Sequence, residues 1–399
     1  MEEPEVHIFT LKSIIFLDSL CFGLMYSHIA PHLIDISGTQ LGIGIFNAFN
    51  ILLSLVSKDI TRSFLSIKGK KFATYMIFMI SIMSHLFVSM TYSVTFTIFS
   101  RLLFTAVNEA NRFCKDLFFK IAPDSTHEQE KMILDILSSL GYIIGPSIGG
   151  YIFTVPGGFT ILALLTAGIT FANVLLLLRI PVMNEDNKPQ AFDEQEVIER
   201  YKTVIDKNIE DVKNSNWKVT WPFLAVQILV TCGWTMFFSK FTQVMHSNFN
   251  SGSSTFGNAA SYKNLLLFGS VTLSTDLKSK YLNDVPLVST LDCSLIINFC
   301  AICGMCYSQS FLAYWVLCIP LVFTKSLINS YWPDMHSQSE NSALVNLIPA
   351  INIASGIIMP IFFGIVCTHL CPNLVKFVSV SLVLAAFLIF TFIVKPNLK

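Results

Sequence analysis

Few ionisable side chains interrupt the apolar stretches of this chain, and those few are where its chemistry must lie. Asp18 stands in Phe16-Leu17-Asp18-Ser19-Leu20-Cys21-Phe22-Gly23-Leu24-Met25, with nothing nearby in sequence to neutralise it. A lone charge at the centre of a membrane helix costs at least about 2.5 kcal/mol on insertion scales, so it needs a partner, water or a function. A carboxyl group in such a place changes protonation with its surroundings, as a proton-coupling site must. Its competing role is to pin two helices together. Arg101 is the natural cation to seek, because it lies about two turns into a helix entering from the opposite face, which brings both residues to the middle of a core roughly 30 Å thick. Glu109 and Arg112 are three apart, the spacing of an ion pair within one helix. His28 and His32 lie one turn apart, a spacing open to metal ligation, although two interfacial histidines near Pro31 explain it better. Cys300, Cys303 and Cys306 recur at three-residue steps with no histidine or carboxylate beside them, so they read as small apolar filler.

Those residues need elements to position them, and the composition says which solvent the elements meet. The chain has 399 residues, 53% hydrophobic and 13% charged, and a mean hydropathy of +0.61, far from a soluble enzyme of that size. Its net charge of zero gives no electrostatic case for nucleic acid. The start is acidic, at Glu2, Glu3 and Glu5, and the first apolar run lacks a small-residue cleavage site, so that run is expected to stay in the mature chain. Runs long enough to span a membrane are read at about 11–32, 41–57, 72–90, 93–113, 132–153 and 159–180. Six more follow at about 221–241, 259–274, 286–306, 310–328, 343–367 and 373–394. The eighth is the weakest, being short and rich in serine.

Lysine and arginine test this count, since loops left in the cytoplasm hold more positive charge. Lys58, Arg62, Lys68, Lys70 and Lys71 follow the second run, and Arg112, Lys115, Lys120 and Lys131 the fourth. The middle loop is basic from Arg179 to Lys218, and Lys278 and Lys280 follow the eighth run. Opposite them stand only Lys240, Lys263 and Lys376, which places both termini in the cytoplasm of a plasma or organelle membrane. Lys240, Asp292 and Lys325 sit at expected helix ends, where snorkelling to the interface accounts for them. The polar stretch 181–218 divides the chain into two bundles, 1–180 and 219–399. Within that stretch Val197, Ile198, Tyr201, Val204, Ile205, Ile209 and Val212 fall near helical period, as in an amphipathic helix on the cytoplasmic face or in a solvated one. Two matching halves imply an internal repeat.

Gly141, Gly145 and Gly149 recur every four residues and form a bare stripe for close helix packing, while Pro146 and Gly150 leave the helix bendable. This G-x-x-x-G-P-x-x-G-G string resembles the fifth-helix antiporter motif of the major facilitator superfamily. The chain is also similar to that superfamily's drug-proton antiporter branch, which holds the tetracycline efflux pumps and orphan animal transporters. The likeness lies in Leu17-Asp18-Ser19-Leu20 with Gly23-Leu24-Met25 and Pro31, and in Arg101 at the fourth-helix arginine position. The spacing from Arg101 through Lys115 to Pro123 carries it further. Asp59, Gly69, Lys70 and Lys71 retain the acid, glycine and basic end of the loop motif, with extra residues between them. That resemblance implies a charge-dipole latch between helices, altered by the stretching. Thr105 replaces a glycine of the arginine motif, and Met132 the first glycine of the fifth-helix motif.

The expected fold is all-α, with twelve membrane helices in two six-helix bundles. Resemblance places the first, fourth, seventh and tenth helices around a midplane cavity. Trp234, Phe237, Phe238, Tyr314 and Trp315 are candidates to line it for an aromatic or cationic solute, with lipid-facing aromatics as the alternative. The favoured function is secondary transport of a small organic solute, with Asp18 and Arg101 serving proton exchange. An uncoupled facilitator and a non-transporting membrane interaction protein are the rivals. A monomer in a lipid bilayer, no cofactor and no enzyme activity are expected, since no G-x-S-x-G, H-E-x-x-H or phosphate loop occurs.

Overall fold

A computed structural model describes residues 3–36, 38–90, 93–180, 194–214, 217–249, 252–281, 285–338, 343–369 and 372–398. Among them there is no β-strand, as a lipid-embedded chain without a closed barrel requires: only helices satisfy their own backbone groups in hydrocarbon. In chain order the helices begin with α1 (Glu3–Asp35), α2 (Gln40–Lys68), α3 (Lys70–Ser89), α4 (Val94–Ala106), α5 (Ala110–Ile121), α6 (His127–Phe153) and α7 (Gly158–Leu178). After α8 (Glu194–Asn214) come α9 (Trp217–Phe249), α10 (Ser253–Lys280), α11 (Leu287–Tyr307), α12 (Phe311–Gln338), α13 (Ala343–His369) and α14 (Pro372–Ile389). Among the described residues, ten helices are long and apolar enough to cross a membrane: α1, α2, α3, α6, α7, α9 and α11 to α14. The α4–α5 pair and α10 make the remaining passages of a twelve-span, multi-pass membrane fold in two six-helix bundles.

The fourth passage is not the single helix expected over 93–113. α4 has 13 residues and rises about 20 Å, short of the roughly 30 Å core. At Val107 the ladder stops, and the Glu109 N–H turns back to the Val107 carbonyl at 2.7 Å before α5 begins. Asn108 favours non-helical backbone, and the Glu109 carboxylate accepts a hydrogen bond from Ser57 on α2 at 3.3 Å. The tenth passage also departs from expectation. α12 continues past 328 because Leu327, Ile328, Tyr331 and Trp332 extend a buried face at helical spacing, so Lys325 lies near the middle of its helix and does not snorkel from an end. α10 extends the eighth run at both ends. α8 presents Ile198, Val204, Ile205 and Ile209 outward, all exposed. Residues 181–193 and 215–216 of the expected linker lie outside the described residues.

The chain forms two compact units: Met1–Thr39, Phe49–Glu194 and Ser251–Asn264 make the first, and Gln40–Ala48, Gln195–Asn250 and Leu265–Lys399 the second. The first unit has apolar cores at two depths. Leu11, Ile14 and Ile15 of α1 pack with Ile77 and Phe78 of α3, Phe113 to Phe118 of α5 and Leu177 of α7 at one end. Leu24 and Met25 pack with Val88, Phe159 and Leu162 at the other. Between these layers runs a buried polar belt of Ser19, Ser84, His85, Ser100, Arg101, Ser138, Thr166 and Thr170. In the second unit Met236, Phe363, Val366 and Val375 form one core cluster, and Leu291, Leu295, Leu321 and Val322 are likewise fully buried.

Candidate functional site

Asp18 enters the polar belt from α1 and faces α5 and α6. Cys21 of α1, Cys114 of α5 and Tyr142 of α6 are its neighbours. The carboxylate makes no hydrogen bond or ion pair with any other described residue. Beside it Asn111 of α5 donates to Ser19 Oγ at 3.0 Å and to Ser138 Oγ at 3.4 Å, joining α1, α5 and α6 by uncharged hydrogen bonds. Asn111 is the first-turn residue of α5, so the break in the fourth passage puts it at the depth of Asp18. Sequence reading passed over Asn111. An amide between Glu109 and Arg112 was the one available signal.

Arg101 does not pair with Asp18. Its Nη2 lies 2.9 Å from His85 Nδ1, and its guanidinium carbon lies 5.5 Å from the centre of the Phe104 ring. A guanidinium can only donate, so Nδ1 is the acceptor and His85 carries its proton on Nε2. Rotation about the helix axis explains the difference. α4 is joined to α3 by Ser84 and Ser100, each donating to the other's carbonyl at 2.7 and 2.6 Å, which turns Arg101 toward α3. Equal depth therefore does not bring it to the side of Asp18.

The glycine stripe of α6 lies on α1. A Cβ at Gly141 would stand 2.6 Å from Leu20 N, and one at Gly149 2.6 Å from the Leu24 carbonyl. Proline has no N–H to give the carbonyl four residues back. Asn264 of α10 supplies it, donating to the Tyr142 carbonyl at 2.8 Å, while Ser261 accepts from the Ser147 N–H at 2.9 Å. His28 Nε2 meets the Pro146 carbonyl at 3.1 Å, so Nε2 carries the proton. The backbone opened by Pro146 is thus satisfied from α1 and α10 together. His32 turns elsewhere and stacks on Phe159 at 3.5 Å. Gly150 faces Gly257 of α10 across a backbone contact.

Between α2 and α3, Gly69 has φ 84°, a left-handed conformation that reverses the chain. Lys70 then reaches Asp116 of α5 at 3.4 Å, and Lys71 donates to the Leu178 and Ile180 carbonyls at the negative end of α7. Asp59 is buried on α2. Glu109 and Arg112 form the 3.6 Å pair that their spacing suggests.

In the second unit Trp234 and Tyr314 are almost wholly buried, at 2% and 1% exposure. Both are packed inside their bundle, where the Trp234 indole is held by Asn298 of α11. Its Nε1–H donates to Asn298 Oδ1 at 3.1 Å, and Asn298 donates in turn to Thr324 Oγ1 at 3.0 Å. Trp315 is half-buried beside Phe311. Lys325 Nζ stands 4.4 Å from the Trp234 ring centre and 6.0 Å from that of Phe238. Asp292 holds Thr391 and Lys395.

The sequence matches no protein-family model and no curated protein. Solved structures match along nearly the whole chain. A bacterial homologue of the human lysosomal transporter Spinster, inward-facing and unoccupied, superposes with a TM-score of 0.70 at 12% identity, covering 100% of this chain and 98% of its own. The nucleoside transporter NupG gives 0.69 at 11%, covering 96% and 99%. The human organic anion transporter MFSD10 (TETRAN) gives 0.56 at 13%, covering 98% and 100%. The chain has the major facilitator fold.

Proposed function

We propose that this chain moves a small organic solute across a membrane by alternating access and exchanges it for protons through Asp18. One observation carries the reading: a carboxylate set in a polar belt between two apolar layers, without a hydrogen-bonded or ionic partner among the described residues. Such a group gains most from a mobile proton, which neutralises it when the surroundings dry. The belt's serine and threonine side chains, with Asn111 beside them, suit a path for protons or solute. Proteins that share the fold are named for organic anions, nucleosides and peptides, which supports an organic solute and leaves its class open. The drug-proton antiporter branch is the subfamily this reading favours, with both termini cytoplasmic. Arg101, bonded to His85, acts here by positioning α3 against α4.

Purified protein in proteoliposomes tests the proposal. Uptake of labelled uridine, a dipeptide, benzoate and a dye cation is followed with and without an imposed pH gradient. Gradient-driven accumulation of one of them supports exchange. Movement indifferent to the gradient would leave an uncoupled facilitator, and none at all would favour a non-transporting role.

A further inference from the structure

α8 turns its apolar side outward. Ile198, Val204, Ile205 and Ile209 are between 46% and 66% exposed. β-Branched residues lose rotamer freedom in a helix, and a lone helix of 21 residues is marginal in water, so something apolar has to cover this face. The charges of α8 are sorted around the same axis. At about 100° per residue, Val204, Tyr201, Ile205, Ile198 and Ile209 fill an unbroken arc of about 140°. Lys202 and Lys213 border one edge of that arc, and Arg200 and Lys207 the other, all within about 60° of it. Glu199, Asp206 and Glu210 fall between the two basic pairs, on the side away from the arc, and these acids are exposed, as are Lys202, Lys207 and Lys213.

A solvated helix has no need of an unbroken apolar arc with a basic border on either side. A helix lying in a lipid surface has that need. Its border lysines lay their stems along the apolar face and carry their ammonium groups to phosphate oxygens, while acids keep to the water side. The position of α8 in the chain supplies the surface. Only residues 215–216 separate it from α9, so Asn214 stands within about 11 Å of Trp217. Trp217 and Trp221 are exposed, one turn apart at the start of a span that runs from Thr220, where tryptophans mark the headgroup level. We infer that α8 lies on the phospholipid surface at which α9 enters the bilayer, with Ile198, Val204, Ile205 and Ile209 among the acyl chains and Lys202, Lys207 and Lys213 at the phosphates. The group recognised is the phosphate common to all phospholipids. Because Glu199, Asp206 and Glu210 offset the basic borders, no anionic headgroup is needed. This contact stands whether or not the chain transports a solute.

The full chain, reconstituted in phosphatidylcholine vesicles, tests this. A genetically encoded, environment-sensitive fluorescent amino acid replaces Ile205 in one protein and Glu210 in another. Lipids brominated in their acyl chains quench from within the bilayer, and iodide, present on both sides of the membrane, quenches from water. Bromolipid should quench the probe at Ile205 at least about threefold more than the probe at Glu210, and iodide should reverse the order. Adding phosphatidylserine should change that contrast by less than about twofold. Val204→Glu with Ile209→Glu should cut bromolipid quenching at Ile205 by about threefold or more, since both carboxylates would enter the acyl chains. Should that double variant fail to fold, the two probes in the otherwise unaltered chain still decide. Iodide quenching both positions alike would mean a solvated helix, and a probe at Ile205 reached by neither quencher would mean that protein covers the face; either result overturns the inference. So does bromolipid quenching that survives the double substitution undiminished. Lipid contact that appears only with phosphatidylserine would overturn the role given to the shared phosphate.

Discussion

A single methyl group at Gly145 should separate α1 from α6. A Cβ there would lie 2.7 Å from the Gly23 carbonyl carbon, 2.7 Å from Leu24 N and 2.8 Å from Gly23 Cα. All three are backbone atoms and cannot rotate aside. Ordinary carbon contacts need about 3.5–4.0 Å, so Gly145→Ala forces the two helices apart by about 1 Å. That shift takes the 3.1 Å contact between His28 and the Pro146 carbonyl beyond hydrogen-bonding range. Overpacking costs about 1–3 kcal/mol and the lost bond about 1 kcal/mol, against a gain of about 0.5–1 kcal/mol from replacing a helical glycine. The net is a loss of about 1–3 kcal/mol. Gly168 on α7 provides the opposite case, since a Cβ there meets nothing within 4 Å and only the favourable term remains. The same substitution should therefore destabilise at Gly145 and stabilise slightly at Gly168. Melting of the purified variants in detergent, followed by tryptophan fluorescence, reads both signs. A Gly145→Ala protein that melts at or above the wild-type temperature would refute the close-packing argument.

Asp18→Asn should abolish accumulation driven by a pH gradient while solute still exchanges down its own gradient; coupling left intact in folded protein would remove Asp18 from the proton path. Gly69→Ala should cost about 1–2 kcal/mol, because its φ of 84° is disfavoured by any Cβ, and a melting temperature equal to wild type would contradict that. Reporters at Gln195 and Lys399 should be accessible from the cytoplasm and one at Ser251 from the opposite side, and a protected Gln195 would break the twelve-span topology.

The spans were legible because about twenty apolar residues in a row have few other uses. The break in the fourth passage was hidden, since the run around Asn108 stays apolar on both sides, and a bond from Ser57 to Glu109 joins residues far apart in sequence. Asp18 and Arg101 show the general limit. Residue spacing gives depth along a helix, but rotation depends on neighbours, and the Ser84–Ser100 pair turned Arg101 away. Lys325 was misplaced for a related reason: Ser326, Asn329 and Ser330 look like a helix end until the buried face of Leu327, Ile328, Tyr331 and Trp332 is seen beside them. Gly141, Gly145 and Gly149 could be read as a stripe from their spacing, but not the helix that fills it. The hydrogen bonds that Asn264 gives and Ser261 accepts at the Pro146 break left no trace in the local sequence.

Those two residues bear on how the chain is made. α10 falls short of the apolarity that marks the ten autonomous spans, partly because Ser261 and Asn264 are polar. Emerging alone from the insertion machinery, it would bring amide and hydroxyl groups into lipid with nothing to bond. During synthesis, however, α6 precedes it, and the Tyr142 carbonyl and Ser147 N–H left open by Pro146 are already in the bilayer. The defect in the earlier helix is thus the docking point for the later one. The order of the helices along the gene becomes part of the folding information, and a permuted chain in which α10 was translated before α6 would lose the partner that lets this polar helix stay in the membrane.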